Sequence, residues 1–315
     1  TTVNLFLLHL YNFGLKKDNK PIKVGRFANK AADMIQYHHG EKSLIDTIVK
    51  LAQNHVGSNN VGFFKKDGQF GTRVCGGENA ADGRYIETGL PWYMPLIYTK
   101  ESVELIEKRI VDDEECEPFF LPAVIPLAGI VNGSNGIATA FSTTTPAHNP
   151  MDVINWYIDK CNGKNPKPIM PWYNGFTGTM NIINRDDKAE KNSLKEELLP
   201  ADLDSDRPIT SPKRFHDIED EDLENLDDEN KAILESANHS KLALQTFGKY
   251  EIIGVHKNNG PIIKVTELPI KSWTQKYRKW LEYLIHGKHK IKPIFDFKDY
   301  SSIETVHFEI HWNNN

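Results

Sequence analysis

The sequence predicts an α+β protein in two parts, and three observations predict it. A helix-period apolar stripe runs from Leu44 to Val56, and glycines punctuate positions 62 to 89 with short β-type runs between them. After Pro118 the pattern changes to strands interleaved with helices. At 315 residues, with 39% hydrophobic and 26% charged residues, the chain is long enough for about two domains with substantial cores. That composition excludes collagen-like, wholly disordered and disulfide-scaffold proteins. No run of about 18 apolar residues is present, so no membrane helix is predicted. The opening apolar stretch is broken by Asn4, His9 and Asn12 and lacks a basic start, which makes it a poor signal peptide. Cys75, Cys116 and Cys161 are widely spaced and form no CxxC pair. They predict a reducing, intracellular setting and no structural zinc.

In chain order, residues 5–13 are apolar enough for a buried helix, and Lys16, Lys17 and Lys20 form a basic turn after it. A short helix is predicted over 24–34, with Phe27, Ala28, Ala31 and Ala32 on one side. Leu44, Ile45, Ile48, Val49, Ala52 and Val56 then fall on one face of a helix of about four turns. Glu41 suits its first turn, and Gly57 ends it. Helices followed by a glycine-rich β-ribbon is the order of a winged-helix module, predicted to occupy residues 1–117. Beyond it, the apolar run 119–130 is interrupted by Pro122 and Pro126. Residues 149–161 read as an amphipathic helix with Val153, Ile154, Tyr157 and Ile158 inward. Strands are predicted at 176–183, 250–256, 261–268 and 305–312, with a helix at 273–285, so 118–315 form a second domain.

Charge is unevenly spread. Residues 186–235 carry 18 acidic and 7 basic side chains, so the overall −5 conceals a body of +6 around a block of −11. A mildly basic body is compatible with a polyanionic partner. The acidic block shows no strand pattern and reads as a solvated loop or short polar helices. It is not an EF-hand, because Asp222 stands where that loop requires glycine.

Five strings carry the chemistry: YHHGEKSLIDTIVKLAQNHVGSNN from Tyr37, DGQFGTRVCGGENAADGRYIETGL from Asp67, VIPLAGIVNGSNGIATAFSTTTP from Val124, PWYNGFTGTM from Pro171 and TELPIKSWTQ from Thr266. In this order they resemble the type IIA DNA topoisomerases, most nearly the eukaryotic and large-virus type. The resemblance covers nearly all of the chain outside the acidic block. It implies a winged-helix (CAP-like) domain over 1–117 followed by an α/β tower domain over 118–315, with 186–235 inserted in the tower. The implied activity is that of an ATP-dependent isomerase that passes one duplex through a transient double-strand break in another.

By this resemblance Tyr85 is the nucleophile that becomes joined to a 5′ phosphate. A tyrosine ester conserves the energy of the broken bond, so resealing needs no ATP. A phenol titrating near 10 needs a base or a cation beside it, and Arg84 is the adjacent cation. Neighbouring strand residues point to opposite faces, so an irregular backbone at Gly83 is expected if both are to reach one phosphate. Without the motif, the pair would read as a packed strand tyrosine beside a surface arginine. His39 matches a catalytic histidine, the alternative being a helix cap or packed side chain, and His38 is packing support. Ile137 falls where the family wedges an isoleucine between base pairs, the alternative being a buried strand residue. Lys42, Lys50, Lys65, Lys66 and Arg73 are candidate phosphate contacts or solvated charges.

Gly76-Gly77-Glu78-Asn79 departs from the family's Gly-Gly-Lys-Asp, and Ile137-Ala138-Thr139-Ala140-Phe141 from its Ile-Gly-Thr-Gly-Trp. Neither a Glu-Gly-Asp and Asp-x-Asp metal cluster nor a nucleotide-binding glycine-rich segment is found, so Mg2+ and ATP are expected to be bound by other domains of the full enzyme. The implied partners are double-stranded DNA and a second copy in a homodimer, or a complementary polypeptide, in the nucleus or in viral or host cytoplasm. Two alternatives stand beside this: a split-subunit gyrase or phage-type breakage-reunion protein, and a cleavage-dead architectural DNA-binding protein.

Overall fold

The structure is a computed structural model that describes residues 21–35, 37, 40–99, 101–102, 105–111, 114–137, 142–184, 242–256, 260–286 and 293–313. The expected helix over 5–13 and the acidic block lie outside these residues. Contacts divide the chain into two compact units: Thr1–Ser134, Thr145–Gly178 and Phe247–Asn315 form the first, and Asn135–Thr144 with Thr179–Thr246 the second. The mixture of helices and strands is the α+β class that the sequence predicts.

The first unit opens with β1 (Ile22–Lys23), which pairs antiparallel with β2 (Glu87–Thr88). Helix α1 (Val24–Ile35) buries Val24, Phe27, Ala28 and Ala31, and α2 (Glu41–Ala52) buries Leu44, Ile48, Val49 and Ala52. These stripes close one core with Phe63, Phe64, Phe70 and Ile86, in which Phe27 meets Phe64 edge-on at 5.7 Å. Each large aliphatic or aromatic side chain so buried stabilises by about 1.5–3 kcal/mol.

Helix α2 stops at Ala52, one turn short of the predicted end at Val56. Gln53 leaves the helix with φ −63° and ψ 134°, and its amide donates to the Phe70 carbonyl at 2.8 Å and the Gly77 carbonyl at 2.9 Å. The glycine-rich stretch that follows is mostly turn, with a 3-10 turn at Arg73–Cys75, and its ribbon is reduced to the antiparallel bridge of Asp67 with Glu87 beside β2. Gly76 and Gly77 show why: both hold positive φ, at 66° and 86°. A Cβ on Gly76 would overlap the Trp273 indole, and one on Gly77 the Gln53 amide.

The short helix α3 (Met94–Ile97) adds Met94 and Ile97 to this core, and the antiparallel pair β3 (Lys108–Val111) and β4 (Glu114–Pro118) follows. Past Pro118 the chain returns to the same core through Leu127 and Val131 of a π-helical turn (Leu127–Val131) and through Val153. Val153 belongs to α4 (Pro150–Cys161), whose first turn is capped by the Asn149 side chain accepting from the Met151 amide at 2.9 Å. Of the four residues expected inward on α4 only Val153 is buried; Ile154 is half-buried, while Tyr157 and Ile158 are 38% and 52% exposed. The helix meets the core along a narrow strip beside the π-helical turn.

Asn60 ties these loops together. Its side-chain nitrogen lies 2.9–3.0 Å from the carbonyls of Val131, His148 and Trp172, and its oxygen accepts from the Asn174 amide at 2.8 Å.

The second unit contains two two-stranded pieces, β5 (Ser134–Ile137) with β6 (Ser142–Thr145) and β7 (Thr179–Asn184) with β8 (Leu242–Phe247). The first unit resumes with β9 (Lys249–Val255), β10 (Pro261–Glu267), β11 (Ile294–Asp299) and β12 (Phe308–Trp312). They form an antiparallel sheet in the order β11-β12-β10-β9. Helix α5 (Thr274–His286) packs Leu281 and Leu284 with Val265, Leu268, Ile294, Phe308 and Ile310 into a second core. Strands β8 and β11 were not foreseen, and the strand predicted at 305–312 begins at Phe308.

Candidate active site

The Arg84-Tyr85 pair sits in a turn rather than a strand. The Tyr85 amide donates to the Asp82 carbonyl at 2.9 Å, which closes the turn. Two amides from the first turn of α1, which no helical carbonyl can satisfy, anchor its ends: Gly25 donates to the Gly83 carbonyl and Val24 to the Ile86 carbonyl, both at 3.0 Å. Gly83 and Ile86 are buried, so the two residues between them are pushed outward. Tyr85 is 68% exposed, and Arg84 is exposed beside it, with its guanidinium carbon 5.5 Å from the centre of the tyrosine ring. The irregular backbone expected here is present. The reason for glycine at 83 is close approach, since a Cβ there would come within 2.9 Å of the Ile45 side chain and 3.2 Å of the Gly25 nitrogen.

Arg84 is engaged by Asp82. Its Nε donates to Asp82 Oδ1 at 3.0 Å and its Nη2 to Oδ2 at 3.3 Å. The shared hydrogen bonds hold the Asp82 carboxyl below its ordinary range and raise the Arg84 guanidinium. Beside the turn lies an open cleft of about 970 Å3 between α2 and residues 76–84. Among the described residues lining it, Lys42, Lys50 and Arg84 face Glu41, Asp46, Glu78 and Asp82. Asn79 is a structural member of this segment: its oxygen accepts from the Thr72 amide at 2.9 Å and its nitrogen donates to the Thr72 hydroxyl at 3.0 Å.

The other candidates fall in different places. Lys42 and Lys50 are exposed on α2, and Lys65 and Lys66 are exposed beyond it, with Lys66 donating to the Asn54 side-chain oxygen. Arg73 is 6% exposed, and Glu267 takes up its guanidinium in a buried ion pair. Glu267 also accepts from the Leu268 amide at 2.9 Å and from the Thr177 amide and hydroxyl, each at 3.2 Å, so both of its oxygens are satisfied. Arg73 therefore presents no cation to solvent. Ile137 ends β5 in the second unit, and its side chain lies outside the described residues, as do His38 and His39. Asp82 was missed by sequence reasoning; the Asp-Gly dipeptide, a common turn signal, could have drawn attention to it.

His55 packs edge-on against Trp273, with ring centres 5.7 Å apart. Burial, with Lys66 and Arg73 nearby, lowers its pKa to about 4. Among the described residues no group of three His, Cys, Asp or Glu side chains could hold a metal ion, and no helix is long and apolar enough to cross a membrane.

Comparison with known proteins agrees with the resemblance. The family model for the A subunit of DNA gyrase/topoisomerase IV matches residues 6–197 and 228–315, and the unmatched residues between these two stretches fall inside the acidic block. DNA topoisomerase 2 of Drosophila melanogaster is 30% identical over 297 residues, covering 94% of this chain and 16% of the fly protein. Human DNA topoisomerase 2-alpha is 29% identical over the same share of the chain, which covers 15% of it. A crystal structure of the Plasmodium falciparum topoisomerase II DNA-binding, cleavage and re-ligation domain superposes with a TM-score of 0.73 at 28% identity, over 99% of this chain and 34% of that one. The chain thus spans about a sixth of the length of these curated relatives.

Proposed function

The chain belongs to the DNA gyrase/topoisomerase IV family of type II DNA topoisomerases, and from that premise we propose that it breaks and rejoins duplex DNA through Tyr85. The observation that carries this reading is the exposed Tyr85 phenol beside Arg84 on a turn pinned at both ends. The Tyr85 oxygen attacks a backbone phosphorus and forms a phosphotyrosyl ester with the 5′ phosphate. The bond to the 3′ oxygen breaks, and that oxygen takes a proton from solvent and leaves as a hydroxyl. The phenol proton passes to a base, for which His39 is the candidate. Arg84 stabilises the charge that builds on the phosphate oxygens. The reverse attack by the 3′ hydroxyl reseals the strand without an external energy source, because the ester keeps the bond energy.

In this reading residues 1–117 form the winged-helix part and 118–315 the tower, with Ile137 as the wedge. Lys42, Lys50, Lys65 and Lys66 hold phosphates without reading bases, as suits an enzyme that acts at many sequences. The whole enzyme, an intracellular homodimer, uses ATP for strand passage and Mg2+ for cleavage. The resemblance assigns the binding of both to other domains of the full enzyme.

The experiment uses the full-length protein with Mg2+ and end-labelled duplex, stopped with denaturant. A 5′-linked protein–DNA adduct is expected, and it should disappear in Tyr85→Phe. An adduct that survives this substitution would overturn the assignment of Tyr85. Failure of the unmutated protein to form one, while still binding duplex, would make the chain an architectural DNA-binding module.

A further inference from the structure

We infer that Asp82 is a positioning residue of this site: its carboxylate holds the Arg84 guanidinium beside Tyr85 and competes with DNA phosphate for it. This rests on the DNA-cleavage reading above.

The three bonds from Arg84 to Asp82 are specific in what they occupy. Asp82 Oδ1 accepts from the Arg84 backbone amide at 3.1 Å and from Nε at 3.0 Å, while Oδ2 accepts from Nη2 at 3.3 Å. The Nε–Nη2 edge is one that grips a phosphate through two parallel bonds. With that edge taken, Nη1 and the second hydrogen of Nη2 carry no such bond among the described residues. A phosphate reaching Tyr85 must therefore take Arg84 end-on through Nη1 and Nη2 or displace the carboxylate.

The placement of Asp82 is fixed by backbone on both sides. Its own carbonyl accepts from the Tyr85 amide, and the preceding Ala81 amide donates to the Gln69 carbonyl, both at 2.9 Å. The carboxylate is thus aimed at Arg84 by a pinned turn. As a stability element the pair contributes little, because the two side chains are 71% and 54% exposed. Its consequence is geometric: the carboxylate meets the guanidinium where its carbon lies 5.5 Å from the centre of the Tyr85 ring. The setting sharpens the competition. Carboxylates outnumber cations among the described residues lining the cleft, so its hold on phosphate depends on how far each cation is free to turn toward DNA.

The test measures duplex affinity of the full-length protein over a range of salt, without Mg2+ so that binding is read apart from cleavage. Asp82→Ala is expected to tighten binding about three- to tenfold at low salt and to steepen the log–log salt slope by about one, as one more phosphate is neutralised. Asp82→Asn, which keeps an acceptor for Arg84 but no charge, should fall between. In an Arg84→Ala background the Asp82→Ala effect should vanish to within about twofold. With Mg2+, cleavage per bound duplex should fall in Asp82→Ala and recover in part in Asp82→Asn. An equal gain in affinity with and without Arg84 would mean plain repulsion of DNA by a carboxylate and would overturn the proposal, as would no gain at all. If the unmutated protein binds no duplex, the DNA-cleavage reading fails. The grip itself is then decided by NMR titration of the Asp82 carboxyl: a depressed midpoint that returns to normal in Arg84→Ala supports it, and a normal midpoint in the unmutated protein refutes it.

Discussion

Arg73 and Arg84 lie eleven positions apart in the same glycine-rich stretch and do opposite things. Arg84 is presented to solvent on a turn; Arg73 is sealed against Glu267, with the pair only 7% and 3% exposed. Removing one partner of such a pair leaves the other charge buried. Arg73→Met should therefore cost about 3–5 kcal/mol of unfolding free energy, read from urea denaturation, while Arg73→Met with Glu267→Leu recovers much of that loss. The sequence could not reveal this fate, because Glu267 lies 194 positions away and an arginine in a glycine-rich loop reads equally as a phosphate contact. The exposed Arg84-Tyr85 pair was legible only through its motif. His55 supplies a pH dependence. Its folded pKa of about 4 lies below the ordinary value of 6.5, mainly because it is buried. The unfolded chain then binds the proton first, so stability held above pH 6.5 is lost as pH falls toward 4. His55→Gln should flatten that part of a stability-against-pH curve, measured by thermal unfolding.

Among the elements, α2 was the most legible and the most consequential. Its stripe of Leu44, Ile48, Val49 and Ala52 is buried as the periodicity demands. Its early end was not legible, because Gln53 leaves the helix to satisfy carbonyls of two loops that are distant in sequence. The outward face left by this packing carries Lys42 and Lys50 over the cleft. If both touch phosphates, Lys42→Ala and Lys50→Ala should each reduce the salt slope of duplex binding by about one and weaken all sequences alike. Unchanged slopes would return them to the role of solvated charges. Helix α4 shows the opposite limit. An apolar stripe predicts which face turns inward, but how much of that face is covered depends on its neighbours, here a single narrow turn. Strand β11 was missed because Ile-Phe-Asp-Phe-Lys-Asp is half charged, and its apolar Ile294 finds the core only once β12 is paired beside it.

At the scale of the molecule, two cores account for the first unit: one closed by α1 and α2, the other by α5 on its four-stranded sheet. Both had sequence signatures, in the paired apolar stripes and in the spacing of strands around residues 250–312. What sequence could not show is that the residues of this unit are not contiguous. Its last part, Phe247–Asn315, is separated from Gly178 by 68 residues, yet it supplies Trp273 against Gly76 and Glu267 against Arg73. Covalent continuity through the intervening segment is thus not what holds this unit together. A gene divided within residues 198–227 should yield two halves that complement each other when produced in one cell. With an affinity tag on one half only, the other is expected to co-purify; Arg73→Met should weaken that association, and independent elution of the halves would show that the reunion of the severed chain requires the link.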